Sequence, residues 1–142
     1  GADGGDPEYN RRVHSLGASD PRITFHGVLE KERLGEAFVG AAALAAPALW
    51  YENEPLTPKS ALYCGVPVAA SRIGSLAEMV SEPDDGWLLP PGEPQAWAEW
   101  LSMLANAEHL PTPLGDNVPT ADDFAEQMFR AYRELSPATG HA

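Results

Sequence analysis

One cysteine in 142 residues excludes an internal disulfide and any zinc site built on several cysteines. Basic residues are equally sparse. Nine Lys and Arg stand against 21 Asp and Glu, for a formal net charge of −12. Non-specific binding to nucleic acid or to an anionic membrane surface needs a cationic face, so neither partner is expected. Long apolar runs are missing too. A membrane span needs roughly 18 residues, and residues 41–50 reach about half of that. The four histidines are scattered and no His-Glu-x-x-His spacing occurs, so no metal is expected. There is no Gly-x-Ser-x-Gly elbow, which disfavours a hydrolase; Ser75 merely follows Gly74 at an expected helix start. Internal repeats are absent. The small, acidic residues 1–6 do not read as a signal peptide, and a cytoplasmic location is the expectation.

What is present is a globular pattern. Hydrophobic residues make up 44% of the chain and four are Trp, enough for one domain with a real core. Residues 7–16 (PEYNRRVHSL) read as a helix with Asp6 as N-cap, Pro7 at the first position and Gly17 as its end. Residues 22–26 (RITFH) alternate, with Ile23 and Phe25 on one face, and read as a short strand. A helix is expected over 31–40, striped by Leu34, Phe38 and Val39. An apolar strand is expected over 41–47, although its periodicity also allows a continued helix. Helix over 55–63, strand over 66–70, helix over 74–80 and strand over 86–89 follow. Pro94 opens a helix over 93–105 with Trp97, Trp100, Leu101 and Leu104 at spacings of three and four. Thr120 caps a last helix over 120–135, with Asp122 and Asp123 at its positive end and an apolar stripe of Phe124, Met128, Tyr132 and Leu135. Residues 137–142 read as a disordered tail behind a single domain of 1–136. Alternation of helix and strand with short connections predicts an α/β fold, an open parallel sheet flanked by helices. Such sheets bind ligands beyond the C-terminal ends of their strands.

The most informative stretch is residues 47–68, PALWYENEPLTPKSALYCGVPV. A buried strand ends near Pro47, and the chain then crosses the sheet edge and enters a helix near Leu56 and Thr57. Free N–H groups and a partial positive charge at such a start suit a phosphate. Glu52, Asn53 and Glu54 lie just before it. Carboxylates accept hydrogen bonds from vicinal sugar hydroxyls, and the same acids are equally compatible with a solvated loop beside an ordinary helix start. Trp50 and Tyr51 either pack or stack on a sugar or base. His26 ends a strand and is either structural or a ligand contact; His14 and His109 read as surface residues. Cys64 reads as packing.

In order and spacing, PALWYENEPLTPKSA resembles the Pro-Ser-x-x-x-Glu stretch and following helix of retaining, nucleotide-sugar-using GT-B glycosyltransferases (glycosyl transferases group 1 type), with Ala48 in place of the common serine. RITFHGVL resembles their strand and loop at the nucleobase. GVPVAASRIGSLAEMV and DGWLLPPGEPQAWAEWL resemble the strand, turn and helix units that follow. The resemblance runs over nearly the whole chain and implies the C-terminal, donor-binding Rossmann-like domain without its first strand-helix-strand. It would place Gly27 and Val28 at the base, Glu52 as the catalytic-site acid at the donor sugar, and Asn53, Pro55, Leu56 and Thr57 at the diphosphate and sugar. The partner so implied is a nucleotide-diphosphate sugar, used without a metal or other cofactor.

Two departures from the family pattern stand out. A second glutamate normally follows the first after seven residues and binds the ribose hydroxyls; here Ser60 occupies that place. The family's upstream Gly-Arg and Lys-Gly, whose cations neutralise the diphosphate, have no counterpart in the sequence, nor has the N-terminal acceptor domain. The resemblance therefore implies a donor-binding half that is inactive as an isolated chain and pairs with an N-terminal domain or with itself through uncovered apolar surface. The alternative is a degenerate, non-catalytic module for a nucleotide sugar or a protein.

Overall fold

The computed structural model describes residues 6–30, 33–115 and 120–135. Residues 31 and 32 of the expected second helix, and the expected tail over 137–142, lie outside the described residues. The chain divides into two compact units, Gly1–Val39 and Gly40–Ala142.

The first unit is built on α1 (Pro7–Ala18) and the short α2 (Leu34–Phe38). The Asp6 carboxylate accepts the N–H groups of Glu8 and Tyr9 at 2.9 and 3.2 Å, and Pro7 takes the first helical position, so the helix start is as expected. Its end is not. Gly17 lies inside the helix and is buried. A methyl group there would meet the Phe25 ring at 2.4 Å, and that ring also lies 4.3 Å from the His14 ring. Residues 22–26 are therefore laid against α1 and form no strand. A strand exists only where a ladder partner does; here the Ile23 N–H turns back to the Asp20 carbonyl at 3.0 Å. Arg22 clasps both oxygens of the Asp20 carboxylate and, with its own backbone N–H on the same group, holds the carboxyl down at about 2.

The second unit carries a three-stranded parallel sheet in the order β1 (Leu44–Ala46), β2 (Val68–Ser71), β3 (Gly86–Leu89). Leu44 aligns with Val68, and Val68 with Gly86. Parallel neighbours need crossovers, supplied by α3 (Leu56–Tyr63) between β1 and β2 and by α4 (Gly74–Met79) between β2 and β3. The central strand is buried at every position, which is why it reads Val-Ala-Ala-Ser without polar alternation. Leu62 of α3 and Leu76 of α4 are the largest fully buried apolar side chains with Val68, so the core sits where the crossovers pack on β2. Gly86 is obligatory: at φ +140° it lies so close that a Cβ would meet the Val68 carbonyl oxygen at 2.1 Å.

After β3, α5 (Pro94–Ala105) brings Trp100 to 5% exposure, edge-on to Trp87 and Trp97 with ring centroids 5.8 and 6.0 Å away. Leu101, expected on the same stripe, is exposed. The final helix, α6 (Ala121–Leu135), is closed at its start by a reciprocal pair. Thr120 Oγ1 accepts the Asp123 N–H at 3.1 Å, and the Asp123 carboxylate accepts the Thr120 N–H at 2.8 Å.

Candidate functional site

The loop joining β1 to α3 carries the candidate acid. Beyond Ala46 the backbone tightens, with the Ala48 N–H on the Ala46 carbonyl at 3.0 Å, and then runs across the C-terminal edge of the sheet to Pro55. Glu52 is half-buried there. Its carboxylate accepts the indole N–H of Trp50 at 2.5 Å. Its backbone carbonyl accepts the Ser75 hydroxyl, also at 2.5 Å, from the first turn of α4. Gly74 adopts φ +52° beside this contact; a Cβ at that position would come within 3.0 Å of the Tyr51 ring and 3.7 Å of the Glu52 carbonyl oxygen. The β1–α3 loop and the β2–α4 turn thus form one structure at the ends of adjacent strands.

Helix α3 starts at Leu56 with Pro55 as its N-cap, and no side chain caps it. The N–H groups of Leu56 and Thr57 are left to outside partners, and Pro58 has none to satisfy. Asn53, Pro55, Leu56, Thr57 and Ser60 all lie on this loop and helix with Glu52. The Ser60 hydroxyl donates to the Leu56 carbonyl at 2.9 Å, one turn back in its own helix. Lys59, with a largely covered side chain, donates to the Glu54 carboxylate at 2.6 Å. The site therefore holds one cation already paired with one of its two acids.

Gly27 and Val28 belong to the first unit. Gly27 has φ +67° with open space around it, and Val28 is 73% exposed. Within that unit a cleft of about 420 Å³ is lined by His26, Leu29, Arg33, Glu36 and Ala37. In the second unit an apolar cleft of about 480 Å³ lies between the residues that follow β1 (Pro47, Leu49) and those at the start of α5 (Pro94, Trp97, Leu101). Among the described residues no group of three or more His, Cys, Asp or Glu side chains is placed to hold a metal, and no helix is long and apolar enough to cross a membrane.

Two contributors to this arrangement are invisible to sequence reasoning. Trp50 reads as packing or stacking, and here its indole nitrogen is a donor to the acid. Ser75 reads as a residue at a helix start, and here it holds a carbonyl 23 positions away. Neither the spacing nor the composition of the loop signals these bonds, since both depend on the loop's path.

Comparison with known proteins gives these features a context. The family described as Glycosyl transferases group 1 matches residues 1–107. Curated relatives include D-inositol 3-phosphate glycosyltransferases of Xylanimonas cellulosilytica, 32% identical over 68% of this chain and 23% of theirs, and of Corynebacterium efficiens, 30% identical over 93% of this chain and 32% of theirs. The chain thus spans about a quarter to a third of the relatives it matches. Among solved structures, sucrose-phosphate synthase from Thermosynechococcus elongatus superposes with a TM-score of 0.74 at 30% identity, covering 94% of this chain and 37% of that one. Anabaena HepE in complex with UDP-glucose shares the fold, with a TM-score of 0.76 at 19% identity, covering 92% of this chain and 38% of its own.

Proposed function

The chain belongs to the glycosyl transferases group 1 family and carries the Rossmann-like α/β fold of the C-terminal part of a GT-B glycosyltransferase, and on that premise we propose that it binds the donor for a retaining sugar transfer. The donor is a nucleotide-diphosphate sugar, and the reaction moves its sugar to an acceptor held by a second domain. On this reading residues 1–136 act as one functional domain and the isolated chain transfers no sugar. The transfer is cytoplasmic and uses no metal.

The observation that carries the reading is the placement of Glu52. It stands at the C-terminal edge of the sheet, one loop before an uncapped helix start, in a chain of this family. The N–H groups of Leu56 and Thr57 meet the diphosphate, where developing negative charge on the leaving group is stabilised without reorganisation. Glu52, with Asn53 beside it, accepts hydrogen bonds from the donor sugar hydroxyls and favours positive charge developing on the sugar ring. Pro55 fixes the entry into the helix. Gly27 and Val28 offer backbone to the base, and Ser60 stands on the ribose side. HepE was solved with UDP-glucose, so uracil is the first base to try.

A specific observation favours a second reading. Ser60 spends its proton on the Leu56 carbonyl, and no carboxylate occupies that place to clasp the ribose. A degenerate module that binds nucleotide sugar weakly, or binds only a protein, follows from that loss. Titration of the chain with UDP, GDP, ADP and their sugar conjugates, followed by heteronuclear NMR, separates the two. The donor reading expects one base to bind at millimolar concentration or better, with shifts at Gly27, Val28 and residues 52–57. Silence from every nucleotide on a well-dispersed spectrum would favour the degenerate module.

A further inference from the structure

We propose that Trp50 and Ser75 are positioning residues for Glu52, holding its carboxylate in the orientation in which one oxygen is left for the donor sugar. The inference rests on the reading of Glu52 as the acid facing that sugar. Glu52 is held at both ends. Ser75 Oγ donates to its backbone carbonyl at 2.5 Å, and Trp50 Nε1 donates to its side-chain Oε1 at 2.5 Å. A glutamate in a loop otherwise has three side-chain torsions to lose on binding. Fixing the backbone by one bond and the carboxylate plane by another removes that freedom before the ligand arrives.

The indole is suited to the task. It is a donor only, so it cannot compete for sugar hydroxyl protons, and its bond to an ionised acceptor is charge-assisted. With Oε1 satisfied by Trp50, Oε2 is the oxygen free to accept from the ligand. Trp50 is 63% exposed, more than a side chain serving only the core would be, and the contact it makes is with the acid. Gly74 is part of the same device, because its φ of +52° and missing side chain let the Tyr51–Glu52 backbone lie against the start of α4.

Heteronuclear NMR of the full chain tests this in two steps. Four tryptophans give four indole N–H signals, and the one lost in Trp50→Phe is that of Trp50. In Glu52→Gln the Trp50 signal moves upfield in the proton dimension as its charged acceptor disappears, while the other three hold. Titrations of wild type, Trp50→Phe and Ser75→Ala with UDP-glucose and with UDP follow. Each variant is expected to bind UDP-glucose about three- to tenfold more weakly, as one hydrogen bond of about 0.5–1.5 kcal/mol implies, and to bind UDP as wild type does. Retention of the three remaining indole signals in Trp50→Phe shows that its fold is intact. A Trp50 signal unmoved in Glu52→Gln, or variants that weaken both ligands alike or neither, overturns the positioning role while leaving donor binding in place. Wild type that binds neither ligand overturns the donor reading itself, and the positioning role with it.

Discussion

At the residue scale the proposed donor reading turns, beside Glu52, on Ser60. This residue is half-buried on α3, and its hydroxyl is committed to Leu56 O at 2.9 Å. A hydroxyl offers a ligand at most one short, uncharged contact. A carboxylate at the same place reaches further and accepts from both hydroxyls of a ribose diol, with charge assistance worth about 1.5–3 kcal/mol. Ser60→Glu is therefore expected to tighten UDP binding roughly ten- to a hundredfold. Isothermal titration of UDP onto wild type and variant measures it, and an unchanged affinity would place the ribose elsewhere. The spacing of Glu52 and Ser60 is legible in the sequence because it survives there as a pattern. The bond between Trp50 and Glu52 is not legible there. Two residues apart in a loop have no fixed relative direction, unlike neighbours at three or four positions in a helix. Only the path of the loop over Gly74 and Ser75 decides it.

At the scale of elements, the helices and strands that could be read correctly are those whose signals are local. Pro94 opens α5 and Gly86 to Leu89 form β3 where expected, and Asp6 and Thr120 cap their helices with the oxygens assigned to them. The segment 22–26 alternates like a strand and forms none, because its partner would have to come from outside the segment, and Gly17 instead admits the Phe25 ring onto α1. The apolar run over 41–47 shrinks to Leu44–Ala46, the three positions with partners on β2. A tie between elements that no local pattern predicts joins the segment after β2 to the turn before β3. Arg72 donates to the Glu82 carboxylate at 2.8 Å and to the Leu88 carbonyl at 3.1 Å, and Glu82 accepts the Leu88 N–H at 3.0 Å. That backbone N–H first, and Arg72 after it, hold the Glu82 carboxyl below its ordinary 4.5. A carboxyl lowered on folding gives stability that is present above its unfolded value and is lost as pH falls through its folded one. The chain should therefore lose stability below about pH 5, and Glu82→Gln should flatten that part of the curve. Urea denaturation of both proteins between about pH 6 and 3 reads the difference in slope. Parallel curves would mean that the tie is as strong with a neutral amide as with the anion.

At the scale of the whole molecule, the apolar surface left in water is the feature with consequences. In the second unit Leu101 stands beside Pro47, Leu49, Pro94 and Trp97 at an apolar cleft of about 480 Å³. On α6, Phe124 and Phe129 are 61% and 72% exposed on a helix whose remaining positions are largely charged or polar. Single exposed apolar residues are ordinary, but an apolar cleft together with aromatic side chains on an amphipathic helix is surface that another protein surface covers well. Covering it gains about 25 cal/mol for each Å² of apolar area removed from water. A net charge of −12 works against like chains meeting, and it is weakened by salt, since exposed charges are screened over about 8 Å at physiological ionic strength. The two terms together predict association that rises with concentration and with salt. Light scattering should give the mass of one chain, 15.2 kDa, when dilute at low salt, and a larger mass when concentrated in salt. Replacing Phe124 and Phe129 together by glutamate should hold the protein at the single-chain mass under both conditions, because it removes exposed apolar area from α6 and adds charge to it. If the wild-type mass stays at 15.2 kDa throughout, the apolar surface does not join copies of the chain, and a different protein surface becomes the partner to seek.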